Sequence, residues 1–368
     1  MRPVHLPSYS RSLHPGAWWV WALGLAAAAS RTTNPVILLL VLAVSGLVVA
    51  ARRTDAPWAN AYAAFLKLGL IVIAIRVVLQ ALLSDSAQGV TVLFTLPELP
   101  LPESFAGISL GGMVTAEAVL RAFYDGLQLA TILCCIGAAN ALASARRLLR
   151  CMPGALYEVA VATVVALTFA PQLVSDASRV RAAHRLRGHE GIRLRSLGRT
   201  AMPVLEGALE RSVELAAAMD SRGYGRTTDT SRASRRTTVA LVFGGLLGIC
   251  VGVYGLLDNS ASALLGLPSL LVGALLATLG LAVGGRRTRR TRYRPDPWAL
   301  PEWVVAGSGA ATAAALFYTG AADPAALRLP SPLTVPPVPV IATVGVLLAL
   351  LPACVSPQPS AKAPEVIA

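Results

Sequence analysis

The residues best suited to chemistry at an interface sit in two short phrases, Leu186-Arg187-Gly188 and Ser221-Arg222-Gly223, 35 residues apart. A guanidinium presents five N–H donors in a fixed planar fork, which suits a groove lined by carboxylates or carbonyls. Each arginine precedes a glycine, the residue that most readily takes the left-handed turn that ends a helix. One Arg-Gly at a helix end is a generic stop. Two matching copies imply two equivalent grooves, and hence a dimeric or pseudo-dimeric partner. A second group of charges, Arg76 and then Glu117, Arg121 and Asp125, falls in or beside apolar runs. Such charges need partners and often mark a pathway. An Arg76–Asp125 pair at similar depth is one arrangement open to them, and Glu117 with Arg121 at i, i+4 reads as a local pair.

Other chemistries lack their residues. The two lysines, Lys67 and Lys362, lie in no Gly-rich loop, and no Gly-x-x-x-x-Gly-Lys-Ser/Thr occurs, so the chain is not itself the ATPase. The five cysteines form no CxxC pair and lie in or beside apolar segments, as small buried hydrophobes do. His184 and His189 are five apart in a polar stretch without a cysteine nearby, which reads as a solvated face. No nucleophile–base constellation stands out. No catalytic residue, metal ligand or cofactor site is therefore expected in this chain.

Two helices must position the arginines. One runs through Asp176, Arg179 and His184 and ends at Arg187-Gly188. The other is expected to start at Met202-Pro203 after Thr200, with the proline in the first turn where it loses no intrahelical bond. Leu205, Leu209, Ser212, Ala216 and Met219 then recur at three and four as one mostly apolar face. Glu206, Glu210 and Glu214 make an acidic stripe beside it. Gly223 follows as the C′ residue, and Arg222 suits the negative end of the helix dipole.

The rest of the chain is a membrane protein. Hydrophobic residues make up 55% of the sequence and charged ones 14%, and apolar runs approach the ~20 residues that cross a bilayer core. The net charge of +13 is nearly all arginine clustered between those runs, the positive-inside pattern, which excludes nucleic acid as the partner and makes the bilayer one. Runs at 17–29, 34–50, 59–83, 113–143, 238–256, 263–283, 302–318 and 338–351 give an all-α polytopic fold of about eight crossings. Both termini fall in the cytoplasm of a cell-membrane protein. Residues 84–112, rich in proline and glycine, read as an extracytoplasmic loop or re-entrant stretch. Four parts follow: an N-terminal membrane domain of about four crossings (1–150), coupling helices between the fourth and fifth crossings (151–236), C-terminal membrane helices (237–356) and a disordered tail (357–368).

One run contradicts hydropathy. Residues 155–174 are apolar enough to cross, yet arginine clusters flank both ends, at 146–150 and 179–199. A single crossing cannot have both ends inside. With Glu158 near its start and Pro171 near its end, the segment is expected to lie along the membrane or against a partner. The region 179–236 carries thirteen arginines against six acids and is the main cytoplasmic part.

The phrase Ala218-Met219-Asp220-Ser221-Arg222-Gly223-Tyr224-Gly225 resembles the second coupling motif of the transmembrane T component of energy-coupling factor (ECF) transporters, the EcfT/CbiQ family. Arg185-Leu186-Arg187-Gly188 stands at the first, where Leu186 departs from the family's usual alanine. Leu13-His14-Pro15, Asn34-Pro35, the stretch 89–97 and Gly111-Gly112 are also similar. The resemblance covers roughly residues 10–256, and the last two crossings have no counterpart in it. It implies a non-catalytic subunit of an ATP-driven importer, with ATP bound by its partners. Leu186, Arg187, Gly188, Ser221, Arg222 and Gly223 would dock into grooves on two ABC ATPase subunits. A small membrane-embedded S component would carry a vitamin or transition-metal ion and rest on the helix at 155–174. Two other readings stay open: a self-contained secondary transporter with Arg76 and Asp125 at its site, and a membrane scaffold for another cytoplasmic protein.

Overall fold

The computed structural model of the chain describes residues 13–52, 61–82, 91–99, 110–151, 156–187, 194–224, 232–257, 265–287, 298–328 and 336–356. The tail at 357–368, Gly188 and the arginines at 289, 290, 292 and 294 lie outside these residues. Among the described residues the helices are α1 (Pro15–Ser30), α2 (Pro35–Arg52), α3 (Ala61–Leu82), α4 (Ala116–Leu142), α5 (Ala145–Arg150), α6 (Tyr157–Leu186) and α7 (Leu194–Ser221). They continue with α8 (Arg232–Leu257), α9 (Leu267–Arg287), α10 (Leu300–Ala322), α11 (Pro324–Leu327), α12 (Val340–Leu348) and α13 (Leu351–Val355). Among the described residues, seven helices are long and apolar enough to cross a membrane: α2, α3, α4, α6, α8, α9 and α10. The fold is that of an all-α polytopic membrane protein.

The expected crossings at 17–29 and 338–351 take a shorter form. α1 has 16 residues, and the last apolar segment is broken between α12 and α13. Pro352 has no N–H to give back to the preceding turn, so the helix cannot run through it without loss. The carbonyl of Ala349 at the break accepts the indole N–H of Trp21 at 3.2 Å. Broken helices survive in lipid when a neighbouring helix re-satisfies the freed backbone groups in this way.

The described residues of the 84–112 stretch hold structure that their composition conceals. Strands β1 (Val92–Leu99) and β2 (Leu110–Thr115) form an antiparallel hairpin, irregular in register between Leu96 and Leu99. Gly111 and Gly112 take φ of 95° and 112°, a backbone region that only glycine enters cheaply. The hairpin is tied to the first turn of α4, where the Glu117 carboxylate accepts the Thr91 N–H at 3.1 Å and hydroxyl at 2.9 Å.

The chain divides into two compact units, one from Met1–Leu148 with Asp296–Ala368 and the other from Leu149–Pro295. In the first, α10 packs along α1, and α12 and α13 pack on α2. Trp21, Leu25, Ile37, Val41, Val305, Leu316 and Val346 share one buried core. The backbones of α1 and α10 approach so closely that a Cβ on Gly24 would stand 2.3 Å from the Gly309 carbonyl oxygen. Small residues also seat α3 on α4, where a Cβ on Gly137 would meet Phe65 at 2.6 Å. Without a hydrophobic force between helices in lipid, such close approach is what binds them. In the second unit α8 and α9 form a hairpin of the same kind: Gly245 faces Ala277, Gly248 faces Gly273 and Gly252 faces Leu270.

Candidate functional site

α6 and α7 belong to the second unit and bear both arginine phrases. α6 is one helix of 30 residues, about 45 Å long at 1.5 Å per residue. It runs unbroken through Pro171 and joins the apolar stretch 155–174 to the polar one that follows. It ends where the sequence predicts, at Leu186, with Arg187 as its C-cap. The Arg187 N–H donates to the carbonyls of Ala183 and His184 at 3.3 and 3.2 Å.

The end of α7 is a complete Schellman turn. The Tyr224 N–H donates to the Met219 carbonyl at 3.0 Å, and the Gly223 N–H to that of Asp220 at 2.9 Å. Gly223, at φ 75°, is the left-handed C′ residue that the sequence predicts. The Ser221 hydroxyl donates to the Ala218 carbonyl at 3.0 Å and closes the same turn. Leu186, Arg187, Ser221, Arg222 and Gly223 are all exposed, Leu186 at 90%. Among the described residues no acid pairs with either guanidinium.

One expectation for α7 needs correction. The helix starts at Leu194, two turns before Met202, so Pro203 is internal. The loss of one N–H is tolerated because the flanking turns keep their own bonds. The half-buried face is displaced by one residue from the mostly apolar one. Val204, Gly207, Ala208, Arg211, Leu215 and Met219 are half-buried, whereas Leu205, Leu209, Ser212 and Ala216 are exposed. Arg211 decides which face turns inward.

Arg211 does so through Asp176. The Asp176 carboxylate accepts from the Arg211 guanidinium of α7 and from that of Arg179 one turn along α6. Sequence reasoning placed Asp176 on this helix without a role. The available signal was that Asp176 and Arg211 are separated by 35 residues, the same interval as the two arginine phrases.

The second group of charges is also brought together. Arg76 Nη2 of α3 lies 3.1 Å from Asp125 Oδ2 of α4, with the two side chains 48% and 35% exposed. Glu117 is engaged with Thr91 of the β-hairpin. No group of three or more metal-ligating side chains occurs among the described residues.

Residues 8–232 match the family described as CbiQ, cobalt transport protein, which takes in both arginine helix ends. The chain belongs to the CbiQ family. It is thus a multi-pass membrane component of a transport system. No curated protein matches the chain.

Proposed function

We propose that this CbiQ-family chain is the transmembrane coupling subunit of an ECF-type ABC importer. Arg187 and Arg222 dock into equivalent grooves on two cytoplasmic ABC ATPases, which bind and hydrolyse the ATP. Their motion passes through α6 and α7 to a membrane-embedded S component that binds the imported vitamin or transition-metal ion. The family's description points to cobalt among such ions. The chain is non-catalytic, and it sits in the cell membrane with both termini inside.

The observation that carries this reading is the pair of helix ends. Two long helices, 30 and 28 residues, each finish in an exposed arginine held by a formed cap. The exposed apolar line Met202, Leu205, Leu209 and Val213, with the acids Glu206, Glu210 and Glu214 beside it, supports a protein partner on α7. The apolar half of α6 supports a seat for the S component, with Val159, Leu167 and Val174 all exposed.

The test is co-purification. Arg187→Glu with Arg222→Glu should release the ATPases while the membrane domain stays folded, and unchanged association would refute docking. The secondary-transporter reading draws on the Arg76–Asp125 pair, which does form, though each partner is already matched by the other. Uptake by the purified chain alone in liposomes would support it, and none is expected.

A further inference from the structure

Arginine marks the cytoplasmic side of this chain, and the connections on the other side are nearly free of basic residues. With both termini inside, the outer connections are those of α1 to α2, α3 to α4, α8 to α9 and α10 to α12. Their only basic residues are Arg31, in the first of them, and Arg328, in the last. The first unit brings these two exceptions to one place. The Thr32 hydroxyl and the Thr33 N–H both donate to the Leu327 carbonyl, at 2.9 and 3.0 Å. Arg31 and Arg328 are the chain neighbours of that contact on its two sides, and both are exposed. Among the described residues no acid pairs with either guanidinium. The acid next in sequence, Asp323, caps α11, where its carboxylate accepts the Ala326 N–H at 3.3 Å. Two guanidinium forks without an acid of their own suit the oxygens of a phosphate group.

What lies beneath the arginines points to a lipid rather than a free anion. The Arg31 guanidinium sits 4.8 Å from the centre of the Phe317 ring. α1 and α10 run parallel to that point, since Gly24 meets Gly309 lower down the same pair. Down α1 from Arg31, Ala27 is half-buried and Leu23 and Val20 are exposed. Down α10 from Phe317 the exposed residues are Ala314, Ala310 and Gly307, at helical spacing. Large apolar side chains on one helix beside small ones on the other make a track that an acyl chain can follow. Tyr318, exposed next to Phe317, is the residue type that gathers at headgroup level.

We propose that Arg31 and Arg328 hold the phosphate of one phospholipid, with an acyl chain laid along α1 and α10 beneath Arg31. Two positive charges against the single carboxylate of Asp323 leave the site net positive. That balance favours an anionic headgroup, phosphatidylglycerol, over a zwitterionic one. Arg31 lies inside the family match and Phe317 and Arg328 beyond its end, so the lipid would join the two parts of the first unit at their rim. Its assignment to the outer leaflet rests on the orientation given above, whereas the binding itself does not.

The test is native mass spectrometry of the full chain, stripped of lipid in detergent and titrated with phosphatidylglycerol or phosphatidylcholine. One phosphatidylglycerol should be retained in preference to phosphatidylcholine. Arg31→Gln and Arg328→Gln should each weaken that retention about fivefold, the worth of one arginine near a charged headgroup, and together about 25-fold. Arg181→Gln removes the same charge from an exposed position on α6 and should leave retention unchanged. Equal retention by the parent and the double variant, or an equal loss in Arg181→Gln, would overturn the site. So would equal retention of the two lipids, and so would displacement of the lipid by soluble glycerol phosphate at matched concentration, which would make it a site for free anions. Retention is read without a membrane or ATPases, so a failure of the docking reading or of the orientation leaves this result standing.

Discussion

The crossing of α1 and α10 gives a sharp test of the fold because two nearby glycines on α10 predict opposite results. A Cβ on Gly309 would lie 2.5 Å from the Trp21 Cα and 2.6 Å from the Trp21 carbonyl oxygen, both backbone atoms that cannot swing aside. Ordinary contact begins at 3.4 Å, so Gly309→Ala must move α10 off α1 by close to an ångström. That shift opens the core that Trp21, Leu25 and Leu316 share, and strains the Trp21 indole bond to Ala349 at 3.2 Å. Overpacking of this kind costs about 1–3 kcal/mol. At about 2–4 °C per kcal/mol for a domain of this size, the melting temperature should fall by roughly 2–12 °C.

Gly307 is the control. A Cβ there meets nothing within 4 Å, and alanine favours the helix over glycine by about 1 kcal/mol. Gly307→Ala should therefore leave the melting temperature unchanged or slightly raised. Thermal unfolding of the two purified variants in one detergent, followed by intrinsic tryptophan fluorescence, compares them directly. Equal melting temperatures would refute the close packing of α10 on α1 and, with it, a structural role for the C-terminal helices.

Three further outcomes are expected. Gly223→Ala puts a side chain into the left-handed region at φ 75°, a cost of about 1–2 kcal/mol. The Tyr224 amide should then exchange hydrogen about 5–30-fold faster, and an unchanged rate would show that the cap does not hold Arg222. Trp21→Phe removes the indole donor to Ala349 and should cost about 0.5–1.5 kcal/mol in chemical unfolding, more than Trp19→Phe on the half-buried side of the same helix. Single cysteines at Glu158 and Leu186, near the two ends of α6, should react with a membrane-impermeant reagent from the cytoplasmic side alone. Opposite-side labelling would show that α6 crosses the membrane.

The coupling helices were legible in the sequence because their signals are local. Arg187 and Arg222 sit where a helix must stop, and the left-handed glycine at 223 announces itself by residue type. Which face of α7 turns inward was not legible, because periodicity ranks leucines by hydrophobicity and has no knowledge of Asp176. One ion pair between residues 35 apart outweighs Leu205 and Leu209 in setting which side turns inward. The hairpin at 92–99 and 110–115 was hidden for a related reason. Pro97 and two glycines read as loop, and nothing local shows that Glu117 will hold Thr91. Arg76 and Asp125 were visible as a candidate pair because charges in apolar runs have few places to go.

The role of the C-terminal helices was the least legible and has the largest consequence for the first unit. The family match ends at residue 232, so α10 to α13 lie outside it. Yet the polar groups at the junction of α1 and α2, inside the match, are satisfied from beyond its end. The Thr32 hydroxyl donates to the Leu327 carbonyl at 2.9 Å, and the Asn34 amide to the carbonyls of Ala326 and Pro337 at 3.1 and 2.7 Å. The Arg52 guanidinium, at the end of α2, reaches the Ala353 carbonyl at 3.1 Å. Thr32 and Asn34 are fully buried, and a buried polar group without a partner costs about 1–3 kcal/mol. Asn34-Pro35 thus means something different here from what its place in the family match suggests. In this chain the asparagine both caps α2, accepting the Val36 N–H at 3.0 Å, and fastens it to the C-terminal helices. The chain has made part of its family core dependent on an extension, which makes α10 to α13 a condition of the first unit's fold.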